Sequence, residues 1–197
     1  MPQVSAGEFQ RLPLRAHEFL AGVPQHDIWA VDLPRWRAGI TLDAFLRAAK
    51  DRLFTPSPAV SALLAIRFFV GRLLGWDRAR PASAGRASLA ARLTEADRAR
   101  SLVPPGAPQG PFRLVYRFED EQLVELVNRT AHAGALSALV ETADGYRFYF
   151  AVYVRSVGRL TPIYMAAIDP FRRLVVYPSL LRSVRATWDQ AFGPARR

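Results

Sequence analysis

The sequence predicts an α+β fold in which a curved antiparallel sheet packs on a long C-terminal helix. Three observations lead there. Apolar residues recur at spacings of three and four through Leu42–Leu53 and again through Val60–Leu74, the period of helices buried along one side. From Pro111 to Val157 the period changes to two, in four adjacent runs joined by short turns, the pattern of an antiparallel meander. A last helical segment, Thr161–Phe192, ends at Gly193-Pro194, a pair that stops a helix.

Taken in order, a short helix is expected over Leu12–Leu20 and a strand over Asp27–Leu33, with Trp29, Val31 and Leu33 on one face. Thr41 is placed to cap a helix carrying Leu42, Phe45, Leu46, Ala49 and Leu53. Ser57-Pro58 opens a second helix, with a hydroxyl before the first turn and proline where its missing N–H costs nothing. Residues 76–110 are rich in Ala, Pro, Gly, Ser and Arg and read as a mostly irregular insertion or lid, with one short helix at the capping-box sequence Thr94-Glu95-Ala96-Asp97. Neither side of this stretch looks complete alone, so residues 1–197 read as a single domain. In the meander, Asp144-Gly145 signals a tight hairpin. Pro170 and Pro178 each remove a backbone hydrogen bond and are expected to kink the last helix; Asp169-Pro170 can also read as a fresh cap and start.

Half of the 197 residues are hydrophobic, enough to bury about 70% of the unfolded chain's surface and to exclude general disorder. The net charge is +10, yet Lys50 is the only lysine among 27 basic residues and the arginines are scattered. That pattern reads as a GC-rich coding sequence and a solvated basic surface, and no nucleic-acid partner is expected. Cysteine is absent, which rules out disulfides, thiolate catalysis and cysteine-held metals. The first residues lack a signal pattern, and no apolar run reaches the ~18 residues of a membrane helix. A cytoplasmic protein without an integral membrane segment is therefore expected, with homo-oligomers left open.

Motifs that name a chemistry are missing. There is no phosphate-cradling glycine loop and no Gly-x-Ser-x-Gly elbow. His17, His26 and His132 lie far apart in sequence, with no metal-ligand spacing, so no metal and no cofactor are expected. Glu119, Asp120, Glu121 and Glu125 form an acidic cluster, three of them in a turn expected to be exposed, where nothing perturbs a carboxylate into a catalyst. The informative feature is the sheet's inward face. Phe112, Leu114, Tyr116 and Phe118 in the first run and Tyr146, Phe148, Phe150, Val152 and Val154 in the fourth make the even-numbered side inward. If register holds, the second run, Leu123–His132, turns Val124, Leu126, Asn128, Thr130 and His132 the same way. Buried Asn, Thr and His must find partners. Either neighbours satisfy them, or they line a wet or ligand-filled cavity. His132 is the candidate for proton chemistry, since its ordinary pKa lies near neutrality.

The order of parts, with the stretches PSPAVSALLAIRFFVGRLLG (Pro56–Gly75), ELVNRTAH (Glu125–His132) and RLTPIYMAAIDPFRRLVVYPSLL (Arg159–Leu181), resembles the helix-grip plan. The chain is similar to a bacterial family of unknown function within the START / polyketide-cyclase-like (SRPBCC, Bet v 1-like) superfamily. The resemblance implies a hydrophobic cavity between sheet and C-terminal helix, holding a lipid, polyketide or isoprenoid-like molecule. It carries over no catalytic residue. The expected ligand-binding residues are Tyr116, Asn128, His132, Phe148, Phe150, Tyr164 and Ile168. Two alternatives stand beside binding: a cyclase-, dehydratase- or hydrolase-like enzyme using His132 with Tyr116 or Asn128, and a membrane-surface or interaction module built on the Ser57–Gly75 helix with Arg67 and Arg72.

Overall fold

The computed structural model of the chain describes residues 3–49, 88–127, 132–156 and 160–194, without the side chains of residues 160–164 and 167. The expected Ser57–Gly75 helix, Asn128 and Thr130 lie outside these residues. The fold is α+β: a six-stranded antiparallel sheet and a C-terminal helix.

Two short helices open the described chain, α1 (Ala6–Gln10) and α2 (Arg15–Phe19), where a single helix over Leu12–Leu20 was expected. Pro13 lies in the break between them. Strand β1 (Gln25–Pro34) follows, then α3 (Leu42–Ala49), whose first turn is capped by Thr41 Oγ1 accepting from the Ala44 N–H at 3.1 Å. After a 3₁₀ turn (Leu89–Arg92) comes α4 (Glu95–Arg100), with both arms of the expected Thr94–Asp97 capping box formed. The remaining strands are β2 (Pro108–Gln109), β3 (Phe112–Arg117), β4 (Glu121–Val127), β5 (His132–Glu141) and β6 (Gly145–Arg155). Their order across the sheet is β1-β6-β5-β4-β3-β2, so the meander runs in sequence and β1 closes on its last strand.

The C-terminal helix runs as α5 (Leu160–Phe171), a π-helical turn (Arg172–Val176) and α6 (Tyr177–Phe192). It has already begun at Leu160, so Thr161 stands inside its first turn. Asp169-Pro170 does not restart it; both residues lie within α5. Where two proline kinks were expected, a widened turn lies between Pro170 and Pro178. Pro178 has no N–H for the Leu174 carbonyl, which loosens the four-residue repeat in this turn.

Both faces of the sheet are covered, although one inward face was expected. Residues paired across strands share a face, and the register defines two. The helix face carries Trp29, Val31 and Leu33 of β1 with Tyr146 and Phe148 of β6, packed against Phe45 of α3 and Leu181, Val184 and Trp188 of α6. The opposite face carries Ile28, Ala30, Leu136, Tyr149 and Ala151, packed under Phe9, Ala16 and Phe19 of the N-terminal segment and under Leu89 and Leu93. Residues 88–110 thus cover this second face and add an edge strand; their backbone bonds to β3 through Leu102 N–H to Arg117 O and Gly106 N–H to Leu114 O.

The hairpin between β5 and β6 is closed by the Thr142 N–H donating to Gly145 O at 2.9 Å, so its centre is Ala143-Asp144. Gly145 opens β6 for a different reason. A methyl group there would lie 2.3 Å from the Leu33 carbonyl oxygen of β1, a backbone atom that cannot turn away. Gly145→Ala is therefore expected to cost about 1–3 kcal/mol, read as a lowered urea midpoint with an unchanged slope.

Candidate functional site

The residues expected to bind ligand are divided by the sheet. Phe148 and Phe150 lie on the helix face, and Ile168 of α5 packs against the same side through Val152. Tyr116 and His132 lie on the opposite face. Asn128 is outside the described residues, as is the side chain of Tyr164, a residue of α5. Strict alternation breaks at two places. Val115 is an extra residue in β3 between the Leu114–Val124 and Tyr116–Leu123 pairs, which turns Tyr116 over. His132 begins β5 instead of ending β4, so it pairs with Val127 and Arg155.

The face under the N-terminal segment holds a buried polar group of its own. His132, only 2% exposed, meets Glu125 Oε2 through Nε2 at 3.0 Å. The same carboxylate accepts from the Leu89 N–H at 2.8 Å and from the Ser88 hydroxyl. Burial pushes Glu125 up, but these donors outweigh it and hold its pKa below the ordinary value. Ser88 bonds to the carboxylate, so Glu125 fastens residues 88–89 to the sheet and pairs with His132 of the neighbouring strand. Glu121, read from sequence as part of an exposed turn, is 1% exposed on β4. Its Oε2 accepts from the Ala16 N–H at 3.3 Å, while Oε1 and the phenols of Tyr116 and Tyr153 have no hydrogen-bond partner. Burial, and then Asp120, push the Glu121 carboxyl up to about 7 against the donation from Ala16. Burial and the Glu121 charge raise both phenols, Tyr153 to about 12 and Tyr116 well above its ordinary value.

On the helix face, two irregularities meet. His26 is the extra residue of a bulge in β1, between the Gln25–Tyr153 and Asp27–Val152 pairs, and it lies beside the π-helical turn. Bulges and π-turns both re-aim side chains and concentrate at functional sites. Between them lies Asp27, whose side chain is fully buried. Its Oδ2 accepts from Arg172 Nη2 at 2.6 Å and from the Tyr177 hydroxyl at 3.2 Å, and its Oδ1 faces Arg173 Nη2 at 3.3 Å. Arg172 also donates through Nη1 to Asp169 at 3.1 Å and through Nε to the Tyr177 oxygen at 2.8 Å. Asp169 in turn holds His26 Nε2 at 3.0 and 3.2 Å. Burial drives the Tyr177 phenol far above its usual pKa, against the pull of Arg172.

His26, Asp27 and Asp169 stand close enough to share a metal ion. Arg172 bridges both carboxylates and Arg173 faces one of them. A divalent cation would have to displace or adjoin these guanidinium groups, so the cluster is an ion-pair network before it is a metal site.

Beside the network, the helix side of the central strands is lined by half-buried apolar residues: Val124 and Leu126 of β4, Ala133 and Ala135 of β5, and Phe150 and Val152 of β6. Farther along, the seam between sheet and α6 closes, with Leu181, Val184 and Trp188 fully buried and the Trp188 indole donating to Pro34 O at 3.0 Å. Sequence reasoning missed Asp27, Asp169, Arg172 and Tyr177. One signal was present: Asp27 occupies the same side of β1 as Trp29, Val31 and Leu33, a carboxylate in an apolar row.

Fold and site together define an α+β protein whose sheet and C-terminal helix are tied by a buried ion-pair network at one end of their seam. The chain belongs to the family described as protein of unknown function (DUF2867), whose pattern matches residues 19–179. The match takes in the whole His26–Asp27–Asp169–Arg172–Tyr177 network and stops before the closed end of α6. No curated protein matches the chain. Among the described residues, no helix is long and apolar enough to cross a membrane.

Two consequences are measurable. Between pH 4.5 and about 7 the folded chain keeps a proton on Glu121 that the unfolded chain has released. This contribution to stability is complete below pH 4.5 and is lost as pH rises through 7. Glu121→Gln should gain on the order of 3 kcal/mol on the parent across that window, read by urea denaturation in a pH series. At the second cluster, Arg172→Met leaves Asp27 buried beside a single guanidinium and is expected to cost about 3 kcal/mol. Asp27→Asn combined with Arg172→Met should recover much of that loss by the same measurement.

Proposed function

We propose that the chain binds a small, largely apolar molecule between the sheet and the C-terminal helix, with the Asp27–Arg172–Tyr177 network at its polar end. The observation that carries this reading is the contrast along one seam. At the α6 end large side chains fill it completely, whereas beside the π-turn the sheet presents alanines at 133 and 135 and apolar side chains that stay half-buried. Apolar linings with a few placed polar groups are the usual form of small-molecule sites. Of the residues expected from sequence, Phe150 and Ile168 adjoin this region, Phe148 lies deeper in the packed seam, and Tyr116 and His132 serve the other face. The strand order, with β1 closing on the last strand of the meander, supports a helix-grip architecture of the START type, and ligands of the lipid, polyketide or isoprenoid kind remain the class to try.

A catalytic reading has one observation in its favour, and it shifts from His132 to His26. His132 is sealed against Glu125, whereas the His26 ring is 28% exposed and held by Asp169. A solvent-facing histidine braced by a carboxylate can exchange a proton with a molecule in the seam. The membrane-surface reading rested on the Ser57–Gly75 helix, which lies outside the described residues.

Titration with the neutral apolar dye Nile red tests the binding reading. The folded parent should bind one dye with micromolar affinity, and Ala135→Phe, which fills the half-buried strip, should weaken it at least tenfold with the circular dichroism unchanged. Dye binding that ignores the substitution would place the apolar site elsewhere and overturn the proposal.

A further inference from the structure

The buried polar atoms of β1 say what kind of molecule the seam would take. Trp29 is 9% exposed, and its indole N–H has no hydrogen-bond partner. Asp27 is 1% exposed; its Oδ1 forms an ion pair with Arg173 but receives no hydrogen bond. Buried donors and acceptors are nearly always paired, and leaving one unpaired costs about 1–3 kcal/mol. The two atoms are of opposite kind. They belong to residues two apart on β1, which puts both on the helix face with their Cα atoms about 6–7 Å apart. Both residues touch Tyr177: its hydroxyl donates to Asp27, and its ring lies 5.2 Å from that of Trp29 and 6.1 Å from that of Phe150.

We infer that the seam is selective for an apolar alcohol or phenol, whose hydroxyl donates to Asp27 Oδ1 and accepts from Trp29 Nε1. The inference rests on the binding reading above and adds the ligand's functional group. A hydroxyl is the smallest group that offers both a donor and an acceptor. A ketone or ether serves Trp29 alone. A fatty-acid carboxylate cannot donate, and it brings a negative charge beside Asp27. An amine cation serves Asp27 and leaves the indole unpaired. The body of the ligand would lie along Phe150, Val152 and Ile168.

Calorimetric titration of the full chain with naphthol, naphthalene and naphthoate at neutral pH decides the matter. Naphthol should bind about tenfold more tightly than naphthalene, and naphthoate more weakly than naphthol. Trp29→Phe, which keeps an aromatic ring and removes the N–H, should weaken naphthol about tenfold and leave naphthalene unchanged. Equal affinity for naphthol and naphthalene, or an equal loss of both in Trp29→Phe, overturns the hydroxyl selectivity while apolar binding stands. Tighter binding of naphthoate than naphthol overturns it in favour of an anion site on the arginines. Failure of all three to bind a chain that still melts cooperatively overturns the binding reading itself.

Discussion

The architecture depends on one long-range pairing, β1 against β6. It joins residue 25 to residue 153 and runs through Pro34–Gly145, closing a loop of more than a hundred residues. Such closure carries an entropic cost that local contacts do not. Its consequence is local: it sets His26 and Asp27 beside the C-terminal helix that leaves β6. Without this pair, Asp27 is an exposed carboxylate near the start of a strand and Arg172 an exposed cation on a helix. With it, the two meet at 2.6 Å out of water. The tight fit at Gly145, where even a methyl group would strike the Leu33 carbonyl, shows how closely the two strands approach.

The two faces of the sheet then carry different chemistry. Under the N-terminal segment, Glu121 and Glu125 sit four residues apart on one side of β4 and are pushed in opposite directions. Glu125 has three donors and stays ionised. Glu121 has a single long bond from Ala16 and holds its proton toward neutrality. The difference follows from partners, since both are buried. On this face a few buried polar groups inside an apolar core fasten α2 and residues 88–89 to the sheet. On the helix face the charges gather at one end of the seam, where the bulge and the widened helical turn bring a histidine, two aspartates and two arginines together. The apolar part of that seam tapers from fully packed at Trp188 to half-buried at Phe150 and Ala135. The ligand site proposed above lies on the helix face, and the other face is a structural core.

Much of the fold was legible from period and caps. The change from helical spacing to alternation after Pro111, the capping box at Thr94–Asp97 and the cap at Thr41 all reflect interactions within a few residues, which local sequence encodes directly. The candidate site was less legible. His132 was singled out correctly as a buried histidine, but one extra residue at Val115 and a strand boundary placed beyond His132 reversed the face assigned to it and to Tyr116. Alternation has a period of two, so a single-residue slip inverts every later assignment. Glu121 was misread for a related reason: nothing in Glu-Asp-Glu-Gln announces that α2 will cover its third residue.

By itself, then, the sequence determined the class of fold, the meander, a long terminal helix, and the absence of thiol chemistry. Those follow from composition and from contacts between near neighbours along the chain. Tertiary structure alone decided that both sheet faces are buried, that His132 belongs to a structural pair, and that Asp27 meets Asp169, Arg172 and Tyr177 from the far end of the chain. Those meetings depend on strand register and on the fit of β1 against β6. Register is a property of the whole sheet, and no short window of residues contains it.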